Sequence, residues 1–61
     1  MPIVQVEMLE GRTVEQKRAM AAKVTAAICE TLTCPAEKVS IIIREMKQED
    51  YAKGGTLAID N

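Results

Sequence analysis

The chain has 61 residues, 8 of them basic and 9 acidic, with a formal charge of −1. That size allows one domain, and that charge balance gives no electrostatic reason to expect nucleic acid or an anionic membrane surface. A single aromatic residue provides no stacking platform for bases, and a chain without histidine and with two cysteines offers no metal-ligand cluster.

Stability is the first difficulty. A chain of about 60 residues hides only about 60% of the surface its unfolded form exposes. The usual staples are missing, yet 48% of the residues are hydrophobic. Assembly with further copies of the chain is therefore the expected way to bury them. Met1 is followed by neither a basic segment nor a long apolar run, so a soluble, cytoplasmic protein is expected.

In chain order, residues 3–9 alternate as a strand. Val4, Val6 and Met8 fall on one face, and Ile3, Gln5, Glu7 and Leu9 on the other. Glu10-Gly11-Arg12 is a turn in which Gly11 can take a positive φ. Thr13-Val14-Glu15-Gln16 reads as a capping box and opens a helix over about residues 14–33. Met20, Val24, Ile28 and Leu32 form its apolar stripe, and Pro35 blocks its continuation. The alanines beside that stripe, Ala19, Ala21, Ala22, Ala26 and Ala27, permit close packing but are explained as well by helix propensity.

Cys34 to Lys38 is the loop back, and residues 39–45 are a second strand. Its three consecutive isoleucines, Ile41 to Ile43, predict that both faces are at least partly covered. After Met46 the chain is polar through Lys47-Gln48-Glu49-Asp50, and Gly54-Gly55 marks a small hairpin or a flexible loop before Thr56-Leu57-Ala58-Ile59. The fold class is α/β: one βαβ unit over residues 1–61, with parallel strands, a right-handed crossover and a short C-terminal hairpin. One helix covers one face of a two-stranded sheet, so strand edges and the opposite face call for other copies of the chain.

Two residues carry candidate chemistry. If Met1 is removed, as the small second residue favours, Pro2 becomes a secondary amine at the mouth of the first strand. An α-amino group titrates near pH ~7.7–8.0, so burial or a nearby cation readily leaves it neutral and proton-accepting. Arg12 could supply that cation and a fork for an anion. Along one strand the two are roughly 30 Å apart, so a site that uses both must be built between chains. The plain structural readings also stand, with Pro2 as a strand start that needs no N–H and Arg12 as a solvated residue ahead of a helix. For Cys29 and Cys34, expected as reduced thiols, small buried hydrophobes at a helix end and a redox or nucleophilic role are the alternatives. No histidine is present to activate a thiolate.

Pro2-Ile3-Val4-Gln5-Val6, Met8-Leu9-Glu10-Gly11-Arg12-Thr13, Glu15-Gln16-Lys17, Pro35, Glu45-Met46 and Gly54-Gly55 together resemble the small-subunit 4-oxalocrotonate tautomerases of the tautomerase superfamily. The resemblance runs the length of the chain without gaps. It implies the tautomerase fold, a homohexamer arranged as a trimer of dimers, and a cofactor-independent isomerase. Such an enzyme moves a proton in the enol or dienol forms of unsaturated 2-keto acids such as 2-hydroxymuconate. By position it makes Pro2 the general base and acid, and Arg12 of a neighbouring subunit the residue that binds a carboxylate. Tyr51 then becomes an apolar wall and Leu9 a neighbour of the site.

One departure from the pattern matters. Where the best-studied members of that family carry a second arginine on the second strand, this chain has Ser40, which can donate one hydrogen bond but brings no charge. Lys38 and Lys53 lie near site positions and are either substitutes or solvated surface lysines. Arg44 shares the strand face of Ser40 but is roughly 13 Å along it. Two other functions stay open, the first of them known from diverged relatives. One is hydration or dehalogenation of small unsaturated acids, which needs a further carboxylate to activate water, with Glu7, Glu49 and Asp50 unassigned. The other is a non-catalytic oligomeric binding protein.

Overall fold

The computed structural model describes all 61 residues, Met1–Asn61. Strand β1 (Ile3–Leu9) leads through a turn into helix α1 (Val14–Leu32), which is followed by strand β2 (Ser40–Met46) and a two-strand hairpin of β3 (Ala52–Lys53) and β4 (Thr56–Leu57). Single 3-10 turns at Ala36–Lys38, Gln48–Asp50 and Ala58–Asp60 join or close these elements. β1 and β2 are parallel, in register from Ile3 opposite Ser40 to Leu9 opposite Met46.

The capping box forms at the start of α1. The Thr13 hydroxyl accepts from the Gln16 N–H at 3.1 Å, and the Gln16 side-chain oxygen accepts from the Thr13 N–H at 3.0 Å. At the other end the helix stops at Leu32, one residue short of the expected limit. Thr33 turns into the left-handed region at φ +56°, because Pro35 lacks an N–H and bars Cys34 from helical backbone. β2 begins one residue later than expected. Val39 donates its N–H to the Ala36 carbonyl at 3.1 Å and so closes the preceding turn, and the ladder with β1 opens where Ser40 donates to Pro2 at 2.9 Å. Gly54 and Gly55, at φ +60° and +87°, make the two-residue turn that sets Ala52 opposite Leu57 and Lys53 opposite Thr56. Two successive positive φ angles suit the twist of a tight hairpin, which resolves the expected hairpin or loop as a hairpin.

Side-chain alternation sorts the sheet into two unlike faces. Val4, Val6, Met8, Ile41 and Ile43 are half-buried on the helix side, as are Met20, Val24 and Ile28 of α1. Leu32, the last member of that stripe, is 59% exposed at the helix end. Of the alanines only Ala21 is half-buried, so most of them serve helix propensity on the outer side. On the other face Ile3, Gln5, Glu7, Ser40, Ile42 and Arg44 are exposed, and only Leu9 and Met46 are partly covered. Of the isoleucine run, Ile41 and Ile43 have cover from the helix, whereas Ile42 is 40% exposed.

No residue of the chain is fully buried. Its accessible surface is 4843 Å², against about 3,900 Å² for a compact monomer of this mass. The radius of gyration is 14.5 Å where about 10.5 Å would describe a compact chain of this length. The molecule is a slab of 42 × 24 × 13 Å, one helix and one sheet thick. None of its helices is long and apolar enough to cross a membrane.

The two ends of α1 give stability predictions of opposite sign. Thr13→Ala should lower the unfolding free energy by about 1 kcal/mol through loss of the cap. Thr33→Gly should raise it by about 1 kcal/mol, since glycine adopts positive φ without the steric cost a β-branched residue carries. Urea denaturation at fixed protein concentration measures both.

Candidate active site

The parallel register decides which candidate residues can meet within one chain. Pro2 immediately precedes β1 and is half-buried, and its carbonyl accepts the Ser40 N–H at 2.9 Å. Pro2 and Ser40 are thus neighbours at the starts of the two strands, with Lys38 just ahead of them at the end of a 3-10 turn. Leu9 lies at the opposite end of the sheet, opposite Met46. Seven residues of β1 at about 3.3 Å each place roughly 20 Å between the ends of that strand.

Around Leu9 the surface is creased by three clefts. One of about 250 Å³ is lined by Glu7, Met8, Leu9, Met46 and Tyr51. A second, of about 350 Å³, has Leu9 and Tyr51 as walls, with Lys53, Thr56, Ala58 and Asn61. The third, about 440 Å³, runs from Leu9 through Glu10 and Gly11 to Arg12 and Gln48. Leu9, Tyr51 and Arg12 therefore share one end of the molecule, and Pro2 and Ser40 share the other. The expectation from strand length, that Pro2 and Arg12 of one chain lie far apart, agrees with this division.

Local structure accounts for the placement of Arg12. Gly11 at φ +125° lets the chain leave β1 sharply, and Thr13 then caps α1, so Arg12 is fixed between a turn and a helix start. It also lines a cleft of about 320 Å³ with Val6, Met8, Gln16, Lys17 and Met20 on the helix side of the sheet. Two ion pairs exist in the chain, Lys17 with Glu45 at 2.7 Å and Arg18 with Glu15. Neither uses Arg12, whose guanidinium remains uncommitted and exposed.

Lys17 and Glu45 are residues whose part the sequence reasoning missed, although a signal was available. Glu45 continues the helix-facing alternation of Ile41 and Ile43, which puts a carboxylate under the first turns of α1. The pair is only partly covered, with its side chains 25% and 33% exposed, so its direct contribution is on the order of 0.5 kcal/mol. Its larger effect is to tie α1 to the end of β2 while engaging a cation that lines one cleft with Arg12. Gln48 and Glu7, which line clefts with Leu9, were also without an assigned place in the sequence.

A family model described as "Tautomerase enzyme" matches residues 2–61. The chain is 56% identical over 55 residues to a "Probable tautomerase" of Bacillus cereus, covering 90% of each. It is 51% identical over 55 residues to the 2-hydroxymuconate tautomerase of Bacillus subtilis, covering 90% of this chain and 89% of that one. Among solved structures, the heterohexameric 4-oxalocrotonate tautomerase of Chloroflexus aurantiacus J-10-fl superposes with a TM-score of 0.93 at 32% identity, over 98% of this chain and 97% of its own.

Both cysteines are free and half-buried. The Cys29 thiol is pushed above its ordinary pKa, first by burial and then by Cys34 beside it. A raised thiol pKa leaves less thiolate at neutral pH, which favours the packing reading of Cys29 over the nucleophilic one. No three acidic or thiol side chains converge as metal ligands. Iodoacetamide at pH 8 is accordingly expected to modify Cys29 more slowly in folded protein than in urea-unfolded protein, as followed by peptide mass spectrometry. Equal or faster labelling of the folded form would contradict the raised pKa.

Proposed function

The chain belongs to the tautomerase family, and on that premise we propose that it isomerises the enol or dienol form of an unsaturated 2-keto acid such as 2-hydroxymuconate, with the Pro2 nitrogen as base and acid. The observation that carries this reading is the position of Pro2, half-buried at the start of β1 and at the first residue of the family match. With Met1 attached, that nitrogen is a non-basic amide, so the reading requires removal of Met1. The free secondary amine takes the proton from the enol hydroxyl as the carbonyl forms, and returns it to a carbon at the far end of the shifted double bonds. Proton and electrons balance without a cofactor.

Arg12 comes from a neighbouring copy, because its own strand keeps it away from its own Pro2. Its uncommitted guanidinium holds a substrate carboxylate and draws electron density toward that end, which stabilises the dienolate that develops during transfer. Leu9 and Tyr51 form the apolar wall beside it. An apolar wall and a cation both disfavour a protonated amine, and a shift of one pKa unit, about 1.4 kcal/mol, brings an α-amino group near neutrality at pH 7. Ser40, hydrogen-bonded through its N–H to Pro2, presents a hydroxyl that can donate one uncharged hydrogen bond to the substrate oxygen. The uncovered sheet face and the division of the site support a homohexamer built as a trimer of dimers, in which strands and sites are completed by neighbours.

Ketonisation of 2-hydroxymuconate, followed by ultraviolet absorbance, tests the proposal on untagged protein whose intact mass shows that Met1 is gone. Rapid turnover is expected. Pro2→Ala should reduce kcat/KM by about 10²–10⁴-fold, the range of a positioned general base. Arg12→Ala should also lower kcat/KM, by about tenfold or more. Absence of turnover above buffer with a free N-terminus would overturn the dicarboxylate reading and redirect the search to haloacrylates, hydration substrates or a binding role.

A further inference from the structure

A dicarboxylate bound along the wall formed by Leu9 and Tyr51 carries two negative charges, and the residue aligned with the strand cation of the resemblance is Ser40, which is neutral. The hairpin supplies a cation in its place. Gly54 and Gly55 set Lys53 directly opposite Thr56, and the Tyr51 carbonyl accepts the Ala58 N–H at 2.8 Å, so that the hairpin closes back on the residue that opens it. In this closed form Lys53 lines the cleft of about 350 Å³ whose apolar walls are Leu9 and Tyr51 and whose polar rim includes Thr56 and Asn61. No aspartate or glutamate lines that cleft, and neither ion pair of the chain uses Lys53. A second cleft that Leu9 also lines includes Arg12, together with Glu10 and Gln48. Two cations of one subunit that enter neither ion pair therefore line clefts that share Leu9.

We infer that Lys53 is a specificity-determining residue that binds the second carboxylate of a conjugated dicarboxylic acid, with Arg12 holding the first, so that this chain prefers dianionic over monoanionic substrates despite Ser40. The inference rests on the reading of the reaction given above, and extends it by naming the group that selects the substrate's charge. A lysine suits this task as a point charge on a flexible stem at an exposed rim. It needs no fixed fork, and it contributes to binding without taking part in proton transfer.

Calorimetric binding of muconate and sorbate separates the charge from the reaction. The two share a conjugated six-carbon chain and differ in having two carboxylates and one. Processed parent protein is expected to bind muconate more tightly than sorbate. Lys53→Met should weaken muconate by about tenfold, as for a lost charge-assisted hydrogen bond, with sorbate changed less than twofold. Lys53→Arg should restore the preference. In turnover of 2-hydroxymuconate, Lys53→Met should raise KM with kcat little changed, whereas Pro2→Ala acts on kcat. Equal weakening of both ligands by Lys53→Met, or no weakening of muconate, overturns the inference. A Lys53-dependent preference for muconate in a protein that turns over no enol supports the inference and overturns the tautomerase reading instead.

Discussion

A two-stranded parallel sheet has two faces, and this chain has one helix to cover them. α1 packs over Val4, Val6, Met8, Ile41 and Ile43, and no further element reaches Ile3, Gln5 or Ile42 on the opposite side. The C-terminal hairpin extends only as far as Leu9 and Met46, the last residues of the two strands. A slab 13 Å thick with no fully buried residue cannot hold a dry core by itself. Apolar burial is the dominant favourable contribution to folding, and here much of it has to come from contacts outside the chain.

The same geometry governs the chemistry. In-register parallel pairing brings the two strand starts together, and with them Pro2 and Ser40, and it brings the two strand ends together under Tyr51. Pro2 at one end and Arg12 at the other are held apart by the rigidity of an extended strand. Under the proposed function, an assembly that covers the sheet would also complete the site, and stability and function would be coupled to the same contacts. Loss of an intersubunit contact far from Pro2 would affect both.

Charge is distributed so that few cations are spent internally. Lys17 is engaged by Glu45 and Arg18 by Glu15, which leaves Arg12 and Lys53 outside any ion pair at clefts that share Leu9. Surface ion pairs contribute little to stability, so this distribution has little consequence for the fold itself. The paired glycines matter here because two successive positive φ angles make the tight turn that holds Lys53 at the cleft.

Most of the local structure was legible in the sequence, since its causes lie within a few residues of one another. Period-two alternation marked β1, the Thr13–Gln16 capping box marked the start of α1, Pro35 marked its end to within one residue, and Gly54-Gly55 marked the hairpin turn. The motifs also carried the family resemblance and the separation of Pro2 from Arg12, because the rise of a strand is the same in any fold. Three things depended on the tertiary structure. One was the start of β2 at Ser40, where a turn closed at Val39 and the Pro2 carbonyl compete for successive N–H groups. Another was the contact of Lys17 with Glu45. The third was the gathering of Leu9, Tyr51, Arg12 and Lys53 around adjoining clefts. Each joins residues distant in sequence through register and packing, and local propensities contain no information about which side chains of a returning strand or hairpin will lie opposite one another.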